Sequence, residues 1–479
     1  MQKRNWGLGI ILAVTLFLRI PSLFEPYWYG DEAIYLTIGQ AIYKGVRLYA
    51  QIYDNKPPLI YLVAAVVDGN LFWYKFVLLI WVLVTIWVFY KLAEKIFEKR
   101  LWVMISTAIF AFGTSWTKLE GNIGNAELFF LPFTVTTVWL LWEHKPDLKR
   151  IFLAGILLGL GGLFKVPAVL EAAIWPLVWI VFGDRDWWRK TLVFGSGVAL
   201  PILASLGYFL ANGSLDEYIK AVWIQNLPYI LSWKATTEAA GIFSLKARAA
   251  LMFILGAPIL GLSKRIGKRG VIIGLWGLIA LFAALLSGRP YPHYMLQALA
   301  ALALCPGLLV TGKIWEKIIG GLLIILTAGV VVMFNFYNYA TINYYANFIS
   351  WVFKKESTQS YIGWFDPQVN NNYKIAELVK AGSLPQDKIF VWGDMPMLYA
   401  LTKRSPVGKY TVKYHIKELN AENETMEMLI SNPPKYIIDF GSHQDLPGLS
   451  GLLNDAYLLQ KNVGQVMIWR LSPLDQAGN

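Results

Sequence analysis

The amino-acid sequence predicts an all-α polytopic membrane domain of about eleven transmembrane helices with outer juxtamembrane helices, followed by a small C-terminal α/β soluble domain. Three observations carry that prediction. Hydrophobic residues make up 56% of the 479 and charged residues only 15%, whereas soluble domains are about a quarter charged. Apolar runs of membrane-span character recur up to residue 337 and then stop. Beyond Lys354, Pro, Asn, Asp and Lys return, and short apolar strands alternate with helical patterns.

The same numbers exclude an ordinary soluble enzyme. The 21 Trp, 25 Tyr and 26 Phe suit a protein with aromatic belts at two membrane interfaces. The net charge of +12 does not indicate nucleic acid, because the Lys and Arg fall in short clusters between apolar runs and form no continuous basic face. Cys305 is the single cysteine and has no disulfide partner.

The first element follows Lys3 and Arg4. Its apolar stretch, 6–18, leads into Arg19, Ile20, Pro21 and the bulky Phe24, Pro26, Tyr27 and Trp28. No small-x-small cleavage site intervenes, so it reads as an uncleaved first span, 6–24. The other runs lie near 75–91, 101–115, 126–142, 151–164, 167–182, 191–211, 248–262, 271–287, 294–310 and 318–337. Orientation follows the Lys and Arg of short loops. With Lys3 and Arg4 inside, the cytoplasmic loops become 91–100, 143–150, 183–190, 263–270 and 311–317, each rich in Lys or Arg. The apolar stretch 57–73 would invert this pattern if it crossed, so it is placed as a juxtamembrane or re-entrant segment on the outer face, where protein can bury irregular backbone.

The resulting domain map is a membrane domain, 1–343, with outer loops 25–74 and 212–247, and a non-cytoplasmic soluble α/β domain, 344–479. In the latter, strands at 388–392, 435–440 and 466–471 alternate with helical patterns near 373–381, 395–402 and 416–430. There is no internal repeat or low-complexity tract, and the two glycosylation triplets, at Asn212 and Asn423, both fall outside.

Polar and ionisable groups at membrane depth are costly, a few kcal/mol each on insertion scales, so those that remain call for a function. On this map they gather at the outer ends: Asp31 and Glu32, Asp54 and Lys56, Asn122 and Glu127, Lys165, and Arg289 with His293. Asp31 and Glu32 follow Tyr27-Trp28-Tyr29-Gly30. Adjacent carboxylates repel, which favours a partner, a metal or a catalytic task over a merely solvated acidic turn. Lys56 stands in Asp54-Asn55-Lys56-Pro57-Pro58-Leu59-Ile60-Tyr61, where the prolines bar a helix start before them and hold the lysine at a rigid turn. A phosphate at headgroup depth suits it, as does ordinary snorkelling. Glu127 opens the fourth span in a first turn, where the helix dipole also favours an acid. Lys165 sits at a break between two short spans. Arg289, in Ser287-Gly288-Arg289-Pro290-Tyr291-Pro292-His293-Tyr294, offers a planar fork that grips phosphate with two bonds.

In order, Arg19 at the end of the first span, Asp31-Glu32, Asp54-x-Lys56-Pro57-Pro58-Leu59-x-Tyr61, Asn122-x-x-Asn125-x-Glu127 and Gly288-Arg289-x-x-Pro292-His293-Tyr294 resemble the GT-C superfamily of membrane glycosyltransferases. The branch they resemble holds the protein O-mannosyltransferases and the lipid A aminoarabinose transferase. The resemblance covers residues 1–310 well and the tail more loosely. It implies a GT-C-like fold, a donor sugar joined to a polyprenyl phosphate, and transfer with inversion to a hydroxyl acceptor (lipid, glycan or protein) on the non-cytoplasmic face. A phosphate leaving group departs as a stable anion, so one base suffices in place of a glycosidase's pair. On that footing Asp31 is the base, with Glu32 beside it, and Lys56, Lys165 and Arg289 bind the donor phosphate. Asp54, Asn122, Glu127, His293 and Tyr294 orient the acceptor or a metal, a divalent cation being the one cofactor left open. The chain lacks the large inserted lumenal domain of the protein O-mannosyltransferases, which leaves the acceptor open. A lipid or sugar transporter is the alternative, although the repeats and broken midplane helices of transporters are not evident. A receptor or scaffold would need far fewer spans.

Overall fold

The computed structural model describes residues 6–143, 146–227, 244–289, 291–336 and 340–472. Lys3 and Arg4, Pro290 and residues 228–243 of the second outer loop lie outside the described residues. The chain divides into two compact units, one of 1–22, 75–215 and 222–343, the other of 23–74, 216–221 and 344–479.

The first unit is helical, and each of the eleven apolar runs coincides with a helix. Four helical stretches among the described residues are long and apolar enough to cross a membrane unaided: Trp6–Phe24, Leu71–Ile96, Trp187–Ala211 and Ile314–Met333. The other apolar helices among the described residues are shorter. Helices such as Arg100–Gly113 and Leu299–Thr311 have 14 and 13 residues, a rise of about 20 Å against a hydrocarbon core of about 30 Å. Proline accounts for part of the shortening. Pro167 and Pro292 open 3-10 segments, Val166–Ala173 and Pro292–Gln297, and the helices proper, Ile174–Val181 and Leu299–Thr311, start only after them. Helices Leu148–Gly162 and Trp187–Ala211 meet backbone to backbone, since a Cβ on Gly155 would lie 2.3 Å from the Phe194 carbonyl oxygen. Small residues permit that approach in lipid.

The basic loops meet at one end of this unit. Lys95 Nζ donates to Glu143 Oε1 at 3.1 Å, and Lys268 Nζ donates to the Glu143 carbonyl at 2.9 Å. Arg269 grips Glu316 with bonds of 2.7 and 2.6 Å.

The second unit is built on a four-stranded sheet of order β1-β2-β4-β3, with β1 Ile389–Trp392, β2 Tyr436–Asp439, β3 Tyr457–Val463 and β4 Val466–Leu471. β1 and β2 run parallel, and β4 is antiparallel to both of its neighbours. Every residue of β1 and β2 is buried, as expected of strands covered on both faces. The helix expected over 416–430 is two helices, Lys413–Glu418 and Glu422–Ser431, broken where Asn420 takes a left-handed φ of 52°.

The segment 23–74 is part of this unit. Its helix Gly30–Tyr43 is fastened to the turn and helix after β1, with Thr37 Oγ1 donating to the Pro396 carbonyl and Gln40 Nε2 to the Ala400 carbonyl, both at 3.1 Å. The helix Leu59–Val66 has 8 residues, far too short to span, and it packs so closely that a Cβ on Gly39 would sit 2.6 Å from Ala64.

Candidate functional site

In the second unit, Asp31 occupies the first turn of the helix Gly30–Tyr43, where the helix dipole favours a carboxylate. Its Oδ2 lies 3.2 Å from Lys56 Nζ and accepts a 3.1 Å bond from the Tyr35 hydroxyl one turn along. Lys56 Nζ also lies 5.0 Å from the Tyr35 ring centre. The Asp31 side chain keeps 34% of its exposure and so is open to solvent. Glu32, by contrast, is buried.

Lys56 is held from both sides of its own peptide units. Its N–H donates to the Tyr61 hydroxyl at 3.2 Å, and its carbonyl accepts from the Tyr49 hydroxyl at 2.7 Å. Tyr61 in turn donates to Asp54 Oδ2 at 2.6 Å. Asp54 Oδ1 is 3.4 Å from His415 Nε2, a residue of the C-terminal segment. Burial pushes His415 below the usual histidine range, and the nearby Asp54 carboxylate opposes this without reversing it. The Tyr53 N–H donates to the Lys409 carbonyl at 2.8 Å, which secures the same loop to the C-terminal segment.

In the first unit, Glu127 at the start of the helix Ala126–Leu141 pairs with Lys165, which stands at the entry to the segment Val166–Ala173. Lys165 Nζ lies 3.7 Å from the Tyr294 ring centre. His293 pairs through Nδ1 with Glu120, a residue in the left-handed region at φ 53°. The Asn122 carbonyl accepts a 3.1 Å bond from buried Lys75. Arg289 follows Gly288, whose φ of 68° suits glycine. Arg19 turns inward and donates to the carbonyls of Thr114 and Gly121 at 2.8 and 2.6 Å, which satisfies backbone oxygens just past the helix Arg100–Gly113.

The structure thus joins Asp31 with Lys56, and Glu127 with Lys165 and Tyr294, while Asp54 and His293 have partners that the sequence did not single out, His415 and Glu120. Tyr35 was legible in principle as the residue one turn from Asp31. Glu171 had a clear signal, a charge inside the apolar run 167–182. It is buried, accepts from Trp276 Nε1 at 2.9 Å and from Gln297 Nε2 at 3.1 Å, and so ties the segment after Lys165 to the segment of His293 and Tyr294. Among the described residues no group of three or more His, Cys, Asp or Glu is placed to hold a metal.

The family model of the dolichyl-phosphate-mannose-protein mannosyltransferases matches residues 56–209. A curated relative from Pseudomonas fluorescens, an undecaprenyl phosphate-alpha-4-amino-4-deoxy-L-arabinose arabinosyl transferase, is 23% identical over 338 residues, 64% of this chain and 60% of the relative. The match therefore spans less than two thirds of that protein's length. Among solved structures, ArnT from Cupriavidus metallidurans bound to undecaprenyl phosphate superposes with a TM-score of 0.63 over 98% of both chains at 13% identity. Its apo form gives 0.58 over the same share at 11% identity. The chain has a GT-C fold. It resembles the mannosyltransferase and aminoarabinose-transferase branch, as its motifs implied, and is an integral membrane protein.

Proposed function

We propose that the protein is an inverting glycosyltransferase that moves a sugar from a polyprenyl-phosphate carrier to a hydroxyl acceptor on the non-cytoplasmic face of its membrane. The observation that carries this reading is the Asp31–Lys56 pair, a partly exposed carboxylate beside a cation whose backbone is pinned at both ends. The likeness to transferases named for dolichyl-phosphate-mannose and undecaprenyl-phosphate-aminoarabinose supports it.

In this reading the acceptor oxygen attacks the anomeric carbon while the bond from that carbon to the phosphate oxygen breaks. The bonding pair leaves with the polyprenyl phosphate, and the acceptor proton passes to the Asp31 carboxylate. Lys56 stabilises the charge that develops on the phosphate, and Lys165 and Arg289 are assigned the same task. Lys165 performs it while paired with Glu127, which tempers its charge. Glu32, Asp54, Asn122, Glu127, His293 and Tyr294 position these groups and the acceptor.

The decisive experiment reconstitutes the protein in nanodiscs, offers a panel of polyprenyl-phosphate sugars with hydroxyl acceptors, and follows donor consumption by mass spectrometry. One donor should be consumed, with release of the bare carrier phosphate. Movement of lipid across the bilayer without cleavage of any donor would instead identify a transporter. The face is tested separately: in right-side-out vesicles, cysteines at Lys95 and Lys268 should resist an impermeant thiol reagent, and one at Gln51 should react.

A further inference from the structure

The loop that leads into the helix Ala126–Leu141 is anchored at three points in the first unit. Glu120 is paired with His293, the Asn122 carbonyl with Lys75, and Glu127 with Lys165. In the middle of this rigid stretch stands Asn125, the residue that caps the helix N-terminus, with extended φ and ψ of −75° and 155°.

Asparagine is among the best N-caps because its side-chain oxygen accepts from a first-turn N–H. Asn125 makes no such bond. Its side chain is 1% exposed, and neither Oδ1 nor Nδ2 has a hydrogen-bond partner among the described residues. Burying a carboxamide with both ends unmade is destabilising, and capping would have relieved part of the cost locally. By covalent geometry an N-cap side chain emerges at the mouth of the helix N-terminus. An acceptor and two donor hydrogens are therefore placed there, while the Leu128 N–H of the first turn already bonds the Asn125 carbonyl at 3.2 Å.

The charge around this site selects the ligand. Glu127, two residues on, already supplies the anion that the helix N-terminus favours, and Lys165 neutralises it. A phosphate at Asn125 would face that carboxylate. A neutral hydroxyl, which both donates and accepts, matches the carboxamide without added charge. We propose that Asn125 is a sugar-binding residue that exchanges hydrogen bonds with a ring hydroxyl of a saccharide in the transfer reaction. This rests on the glycosyltransferase reading above, and the hydroxyl belongs either to the donor sugar or to a saccharide acceptor.

The test uses Asn125→Leu, close in size and free of polar atoms, with Asn125→Ala as a second variant, both as full chains in nanodiscs. The sources are separated by three measurements: affinity for the sugar-loaded carrier, affinity for the same polyprenyl phosphate without sugar, and KM for the acceptor at saturating donor. A donor contact weakens loaded-carrier binding about tenfold, roughly one hydrogen bond's worth, and leaves the bare carrier unchanged. An acceptor contact raises the acceptor KM by a similar factor and leaves both carrier affinities unchanged. Ligand-free Asn125→Leu should melt at or above the wild-type temperature, because no bond is lost and a buried polar group is removed. The proposal is overturned if loaded and bare carrier lose affinity equally, if no constant moves, or if ligand-free Asn125→Leu melts several degrees lower. A wild type that consumes no sugar-loaded carrier defeats the transferase reading itself. An active wild type indistinguishable from both variants defeats only the assignment of Asn125.

Discussion

Replacing Tyr61 with phenylalanine removes one oxygen from the second unit and breaks two bonds at once. The hydroxyl is fully buried, donates to Asp54 Oδ2 at 2.6 Å, and accepts from the Lys56 N–H at 3.2 Å. A bond to a charged group contributes about 1.5–3 kcal/mol. His415 cannot replace it, since its 3.4 Å contact is to the other Asp54 oxygen and is long for a strong bond. The expected loss is thus about 2–3 kcal/mol, which corresponds to about 5–10 °C in melting temperature for a unit of this size. Lys56 would lose the bond from its N–H and keep the bond from Tyr49 to its carbonyl. Carrier-phosphate affinity should therefore fall several-fold, although the altered ring touches no phosphate. Scanning fluorimetry and binding of polyprenyl phosphate in nanodiscs measure the two effects. Asp54→Asn provides the internal check: combined with Tyr61→Phe it should cost less than the sum of the single changes, because both act on one bond. A melting temperature within a degree of wild type, or strict additivity, would refute the view that this hydroxyl holds the Lys56 loop.

Three further outcomes follow from the same geometry. Asp31→Asn keeps shape and removes basicity, so transfer should fall by about 100-fold or more, with carrier binding intact; near-normal turnover would move the base to Glu32 or Glu127. Lys56→Ala and Arg289→Ala should each weaken binding of the sugar-free carrier, with Arg289→Lys recovering only part of the loss because it keeps the charge without the fork; equal binding by all variants would make them interfacial anchors. His415 takes up a proton near 6.5 when unfolded but at lower pH when folded, held down by burial against Asp54 and in a setting that also includes Asp31, Lys56 and Asp394. Its contribution to stability is therefore complete above pH 6.5 and is lost as pH falls below that value toward the lowered one. The wild-type melting temperature should drop more steeply than that of His415→Gln between pH 7 and 5, and parallel curves would show that another group carries the dependence.

The sequence made the continuous apolar elements legible. β1, β2 and β4 stood out as short runs of mostly apolar residues, all buried in β1 and β2, with Val466 and Ile468 buried in β4. β3 did not, since Tyr457 alone among its residues is buried, Gln460, Lys461 and Asn462 face outward, and its ladder to β4 shifts register between Leu459 and Lys461. The eleven helical runs were visible, but their lengths as regular α-helix were not, because a 3-10 start such as Pro292–Gln297, opened by proline, reads as part of the same apolar run. At the site, the readable quantity was cost. A charge in an apolar setting or a lysine before two prolines is conspicuous, and Asp31, Lys56, Glu127, Lys165 and Arg289 are candidates on that ground. What offsets the cost lies far along the chain, as His415 does for Asp54 and His293 for Glu120, and no local pattern encodes those pairings. Glu171 belongs with the first group by its signal and with the second by its partners, Trp276 and Gln297. Asn125 differs from all of these, because among the described residues its side chain has neither a cap bond nor a distant partner to offset its burial. A polar group whose cost the fold leaves standing is better explained by what the protein binds than by how it folds.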